Sequence, residues 1–146
     1  MRKHLSILVF VLVVIHFFGM WCYYNLPVKL PLLDEVNESC RVTVLPVYKG
    51  LEQDDQLKVL SSEEILKLKE FLQNKTFHRQ KKGIRTDSDM TYRVTITWSD
   101  GTNVQLRTFG ENVYGGDTLA WDSRDLLILK SLDENWHINL EKLLTE

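Results

Sequence analysis

The chain has little cysteine and almost no alanine, and both shortages restrict what it can be. Of its 146 residues only Cys22 and Cys40 are cysteines, and Ala120 is the single alanine. Cys22 falls at the end of an apolar run, so a disulfide within the folded part is excluded unless these two cysteines meet. The stability of the fold must therefore come from packing.

The sequence also lacks the common catalytic signatures. It has no phosphate-binding glycine loop ending in Lys-Ser or Lys-Thr, no Gly-x-Ser-x-Gly nucleophile turn and no His-Glu-x-x-His zinc helix. Asp87-Ser88-Asp89 could begin a calcium loop, but the glycine and the distal glutamate of such a loop are missing. No cofactor and no metal site are predicted, and an enzymatic role is disfavoured.

Charge is missing from residues 5–24, which contain no Asp, Glu, Lys or Arg. At about 1.5 Å per residue, this run forms a helix of roughly 30 Å, which matches the hydrocarbon core of a bilayer. A signal peptidase site needs small residues one and three positions before the cut, and the run ends instead in Trp21, Tyr23 and Tyr24. We therefore predict an uncleaved anchor inserted among membrane lipids, with a cleaved signal peptide as the alternative.

The basic residues around the anchor predict its orientation. Arg2 and Lys3 precede it in residues 1–4, which are predicted to be a cytoplasmic stub, because positive charge stays on the cytoplasmic side. Residues 25–40 contain Pro27 and Pro31 among several acidic residues and are predicted to be a tether. Residues 41–146 then form one extracytoplasmic domain of a single-pass cell-membrane protein.

Positive charge is also in short supply. Without Arg2 and Lys3, sixteen basic residues face twenty acidic ones in the rest of the chain. This balance argues against a nucleic-acid partner.

The pattern of the domain predicts an α+β fold, in which a small antiparallel sheet of three to four strands carries helices on one face. Residues 41–48 have the composition of a strand, and a capping box of Ser61 and Glu64 starts a helix over residues 62–74. Residues 118–121 are predicted to be a short strand. A helix follows from Asp122, with Leu126 and Leu129 on its stripe together with Leu132, and a last helix begins near residue 139.

Residues 92–107 alternate between apolar and polar side chains on both sides of a turn, and the turn length sets their register. A two-residue Asp100-Gly101 turn would place Ile96 opposite Gln105 and mix the two faces. A three-residue loop over residues 99–101 instead pairs Ile96 with Val104, and it needs Gly101 in the left-handed conformation. We therefore predict the three-residue loop.

This register also makes a prediction about charge. It places Arg93 opposite Arg107, which is unfavourable unless an acidic group lies nearby, such as Glu63, Asp89, another acidic side chain or a partner. Together with the basic residues that follow the first helix of the domain, the two arginines form a candidate surface for an anionic polymer or an envelope protein. The candidate residues are Lys81, Lys82, Arg85, Arg93 and Arg107.

The segments Leu45-Pro46-Val47-Tyr48 and Ser61-Ser62-Glu63-Glu64-Ile65, with the hairpin over residues 92–109, resemble small uncharacterised extracytoplasmic, membrane-anchored proteins of low-GC Gram-positive bacteria. The resemblance covers residues 42–109 and implies the fold and the location but no activity. The function expected from these observations is a non-catalytic interaction or regulatory module. The alternative is a small cell-envelope hydrolase or transferase that uses Cys40 as a nucleophile with His78 or His137 as its base.

Overall fold

The computed structural model describes residues 2–80, 90–109, 118–131, 133 and 135–146. The helices within these residues are α1 (Arg2–Asn25), α2 (Ser62–Gln73) and α3 (Trp136–Thr145), with short 3-10 turns at Leu33–Glu35 and Asp54–Gln56. The strands are β1 (Arg41–Tyr48), β2 (Leu51–Glu52), β3 (Lys58–Val59), β4 (Phe77–Arg79), β5 (Met90–Thr97), β6 (Asn103–Phe109), β7 (Thr118–Asp122) and β8 (Leu126–Ser131). The predicted α+β class with an N-terminal apolar helix is confirmed.

The apolar stretch of helix α1 is not buried in the rest of the fold. Its stretch Leu5–Asn25 is 21 residues long, and none of it is buried inside the protein. Length and composition suffice for a bilayer crossing, which makes α1 a candidate membrane anchor.

The strands form one open antiparallel sheet with the order β2-β1-β5-β6-β7-β8-β4, and β3 pairs with β1 beside β2. The described residues thus contribute eight strands, and the prediction of three to four was wrong. Strands β2, β3 and β4 have two or three residues each, which is too short for an alternating pattern to appear in the sequence.

Strand β8 was also mispredicted, as a helix. Leucines three residues apart imitate the stripe of a helix, but Leu129 and Ser131 are buried here on one face of a strand. Leu129 lies opposite Leu119 of β7, and this pairing continues the sheet. Leu132 lies outside the described residues.

The central hairpin has the predicted register. Ile96 lies opposite Val104, Val94 lies opposite Leu106, and Gly101 has a φ of +84° in the loop. The N–H of Trp98 donates to the carbonyl of Thr102 at 2.9 Å, which closes the three-residue loop.

Helices α2 and α3 cover the sheet face that carries Val94 and Leu106. Both hydrogen bonds of the predicted capping box are present: Ser61 Oγ accepts from the Glu64 N–H, and Glu64 accepts from the Ser61 N–H. The buried side chains of α2 are Ile65, Leu68 and Leu72, and those of α3 are Trp136, Leu140 and Leu144. Helix α3 begins at Trp136, three positions before the predicted start near residue 139.

The segment between α1 and β1 packs against the domain. Leu30, Leu33 and Val36 recur at intervals of three and are buried in the main core. The N–H of Val28 donates to the Phe77 carbonyl at 2.8 Å, so this segment extends the sheet beyond β4. Part of residues 25–40, predicted to be a tether, therefore belongs to the folded domain.

Candidate functional site

Two of the five predicted basic site residues can be placed. Val94 and Leu106 face the helices, so Arg93 and Arg107, one position away on each strand, lie on the opposite sheet face. Lys81, Lys82 and Arg85 lie outside the described residues. A single basic field of all five residues stays a prediction.

The structure supplies an acidic partner for each arginine. Arg93 lies opposite Arg107, as predicted, and its Nη1 forms an ion pair with Glu52 Oε1. Arg107 Nη2 lies 3.1 Å from Asp122 Oδ2. These carboxylates balance the charge of the two guanidinium groups within the protein itself.

Sequence reasoning missed both carboxylates, although it anticipated that acidic groups were needed. Glu63, one of the acids considered, instead forms an ion pair with Lys67 at 2.6 Å, and Asp89 lies outside the described residues. Finding Asp122 required the register of β7 on β6, where Gln105 faces Asp122 and Arg107 faces Ala120. That register was not predicted from the sequence.

The alternative catalytic pair of Cys40 and His78 is not assembled. Cys40 is a buried free thiol directly before β1, whereas His78 lies in β4, with four strands of the sheet between β1 and β4. At about 4.8 Å per strand, the two strands are roughly 24 Å apart when measured along the sheet. His137 lies in α3 with its ring 6.4 Å from that of Trp136. Among the described residues, no group of three His, Cys, Asp or Glu side chains could hold a metal ion.

A concentration of exposed apolar side chains lies at the β2–β3 side of the sheet. Outside α1, the described residues include eight exposed large apolar side chains, and half of them fall within residues 48–59. We call this set the apolar edge; it consists of Tyr48, Leu51, Leu57 and Val59, of which Tyr48 and Leu51 are directly paired, whereas Val59 pairs with Thr43, five positions away from Tyr48 along β1.

A tight hairpin presents the most exposed part of the apolar edge. Lys49 and Gly50 have φ values of 51° and 78°, the two positive values of a type I′ turn. Tyr48 and Leu51 lie opposite each other across this turn and are 65% and 69% exposed. Lys49 Nζ is 5.4 Å from the Tyr48 ring centroid. The turn thus presents two large apolar side chains and a cation together.

The sheet edge here is also open to pairing. Strands β2 and β3 have two residues each, and among the described residues they pair only with β1. Exposed apolar side chains beside backbone groups at a sheet edge provide the contacts by which a partner chain can extend a sheet. Sequence reasoning missed this surface because residues 48–59 carry no periodic pattern.

Helix α1 joins the opposite side of the sheet at β4. The guanidinium carbon of Arg79 lies 4.3 Å from the centroid of the Tyr23 ring, and Arg79 Nη1 donates to the Tyr23 carbonyl at 3.3 Å. The apolar edge therefore lies across the sheet from the end of α1.

Comparison of the chain with models of protein families, with curated proteins and with solved structures gave no match. Function is therefore inferred from the geometry of the chain itself.

Proposed function

We propose that this chain is a membrane-anchored extracytoplasmic interaction module that binds an envelope protein through its apolar edge and has no catalytic role of its own. The observation that carries the proposal is the pair of exposed apolar side chains of Tyr48 and Leu51, which lie opposite each other at the β1–β2 turn. Single exposed apolar residues are ordinary on a protein surface, whereas clusters of them are typical of partner-binding sites.

The placement of α1 supports the membrane part of the proposal. Arg2 and Lys3 precede the apolar stretch, and Trp21 and Tyr23 near its other end are suited to the headgroup layer, which favours a domain outside the cytoplasm. Because α1 meets the sheet at β4, the apolar edge lies at the other end of the strand order and is accessible to a partner.

The test is crosslinking and pull-down of the intact protein from its own membrane. We expect a crosslinked partner with the wild-type chain and its loss from the double variant Tyr48→Ser/Leu51→Ser. Leu126→Ser is the matched control, because Leu126 is 53% exposed at the β7–β8 turn, outside the apolar edge. Equal crosslinking by both variants would contradict the proposal, as would a soluble mature form lacking the first two dozen residues.

Thiol labelling distinguishes the interaction-module hypothesis from the alternative of a hydrolase or transferase that uses Cys40. Cys40 is 5% exposed, so a maleimide reagent at neutral pH should modify it slowly in the folded protein. Rapid modification at pH 6 to 7 would indicate a reactive thiolate and would favour the enzyme.

A further inference from the structure

A groove of about 330 Å³ lies where the chain leaves α1. Buried apolar side chains form its floor, among them Leu30, Leu33 and Phe77. Lys29 and Lys75 lie at its rim, and the Lys75 ammonium is 5.3 Å from the Phe71 ring centroid. The groove thus combines an apolar floor with two cations.

The nearby carboxylates already have donors within the protein. Asp34 accepts a hydrogen bond from the Gln73 side-chain amide at 2.8 Å. Asp133 accepts from the Ser131 hydroxyl at 2.8 Å and from the Thr76 N–H at 3.2 Å, and these bonds, with a smaller effect of the charge of Lys75, lower its pKa. These hydrogen bonds engage both carboxylates with donors other than the two lysines.

The position of the groove along the chain identifies the source of that anion. Pro27, which lines the groove, follows the last α1 residue by two positions, a reach of at most about 7 Å. The headgroup layer on each side of a bilayer is about 5–7 Å thick. Arg79 contacts Tyr23 of α1 and adds a third cation at this level.

We propose that this groove binds the headgroup of an anionic phospholipid, with Lys29 and Lys75 contacting the phosphate and the apolar floor contacting the adjoining acyl chain. The proposal rests on the membrane location of α1 given above.

The test uses the full chain in detergent micelles and native mass spectrometry to measure bound phosphatidylglycerol against phosphatidylcholine of the same chain lengths. We expect the wild type to prefer phosphatidylglycerol. In Lys29→Ser/Lys75→Ser the preference should fall about 30-fold, since each lysine near an anionic surface contributes about fivefold. Lys67→Ser/Lys142→Ser makes the same charge change beside the groove between α2 and α3 and should behave like the wild type.

A charge-retaining variant, Lys29→Arg/Lys75→Arg, should keep the preference, which would assign its loss in the serine variant to the missing charge. Equal binding of the two lipids by the wild type, or an unchanged preference in the serine variant, would overturn the proposal. Displacement of phosphatidylglycerol by an equal concentration of inorganic phosphate would also overturn it in favour of a free-anion site. Cell fractionation is independent: a soluble protein that still prefers phosphatidylglycerol in detergent contradicts the membrane location and not the groove.

Discussion

Arg93 and Arg107 lie directly opposite each other on β5 and β6, yet each forms its ion pair with a different carboxylate on the outer side of the pair. Glu52 belongs to β2 and Asp122 to β7, so in sheet order the two acids flank the two bases. Like charges at opposed positions destabilise a sheet. The flanking carboxylates attract each guanidinium away from the other and offset that repulsion.

This arrangement predicts the effect of removing one acid. Asp122→Asn should lower the free energy of unfolding by about 1 kcal/mol, a small value because both partners are partly exposed. Adding Arg93→Thr to Asp122→Asn should restore most of the loss, since the repulsion between the arginines is then gone. Urea unfolding of the full chain measures both effects, and 1 M salt should reduce them. A double variant no more stable than Asp122→Asn would contradict the account.

Glu64, which accepts from Lys58 and belongs to the capping box, predicts a pH dependence of stability. Hydrogen bonds from Lys58 and from Ser61 lower the pKa of Glu64 from 4.5 to about 2 in the folded protein. Because the folded pKa is depressed, the stabilisation by the charged carboxylate is complete above pH 4.5 and is lost as the pH falls toward 2.

We therefore expect the melting temperature of Glu64→Gln to depend less on pH between 4.5 and 2 than that of the wild type. The pKa values of Asp100 and Asp133 are also lowered, by hydrogen bonds from Thr102 and from Ser131, and these carboxylates contribute equally to both proteins. Glu63→Gln, which changes the adjacent exposed carboxylate, is the control. The same pH dependence of the melting temperature in the wild type and in Glu64→Gln would exclude Glu64 as its source.

Because the segment that follows α1 is buried, shortening one of its apolar side chains should lower the stability of the fold strongly. Leu33→Ala should lower the free energy of unfolding by about 2–4 kcal/mol, because it leaves a cavity in the main core. Leu26→Ala, at a side chain 54% exposed beside α1, should change it by less than about 0.5 kcal/mol. Chemical denaturation of both variants gives the comparison. Equal, small effects would mean that residues 25–40 are a free tether.

The hairpin loop predicts a backbone effect. Gly101 has a φ of +84°, and nothing lies within 4 Å of a Cβ added there, so the cost of a side chain comes from the backbone alone. Gly101→Ala should lower the free energy of unfolding by about 1–2 kcal/mol, and Gly101→Asn should cost less because asparagine tolerates this region better. Thermal unfolding ranks the two variants, and an equal cost would contradict the backbone explanation.

The elements that the sequence predicts correctly are those with local determinants. The capping box of Ser61 and Glu64 precedes a helical stripe, and α2 ends within one residue of the predicted end. In the central hairpin only one turn length keeps Ile96 and Val104 on the same face. Both patterns contain their own boundary signals, and these signals are sufficient to predict α2 and the hairpin without knowledge of distant contacts.

The remaining elements depend on contacts distant in sequence. Strand β4 becomes a strand because β8 pairs with it on one side and Val28 on the other, a partner 49 residues earlier in the chain. Two prolines and several acidic residues suggested a tether near Leu33. Leu33 is nevertheless buried, because it packs in the main core with side chains of the sheet and α2. Leucine spacing alone could not distinguish a helix from β8.

The same limit applies to the candidate sites. The sequence placed Arg93 opposite Arg107 because the hairpin is local, but Glu52 and Asp122 come from strands whose registers it did not predict. The apolar edge was not predicted either, since exposure of Tyr48 and Leu51 depends on which strands cover them.

The attachment of α1 through Arg79 and Val28 has a mechanical consequence. Both contacts belong to β4, so a force applied along α1 loads this strand of the sheet directly, without a slack linker in between. Pulling on α1 would thus act on the hydrogen bonds between β4 and β8, such as those around the pair of His78 and Lys130. Helix α1 and the domain are thus mechanically coupled through the contacts of β4.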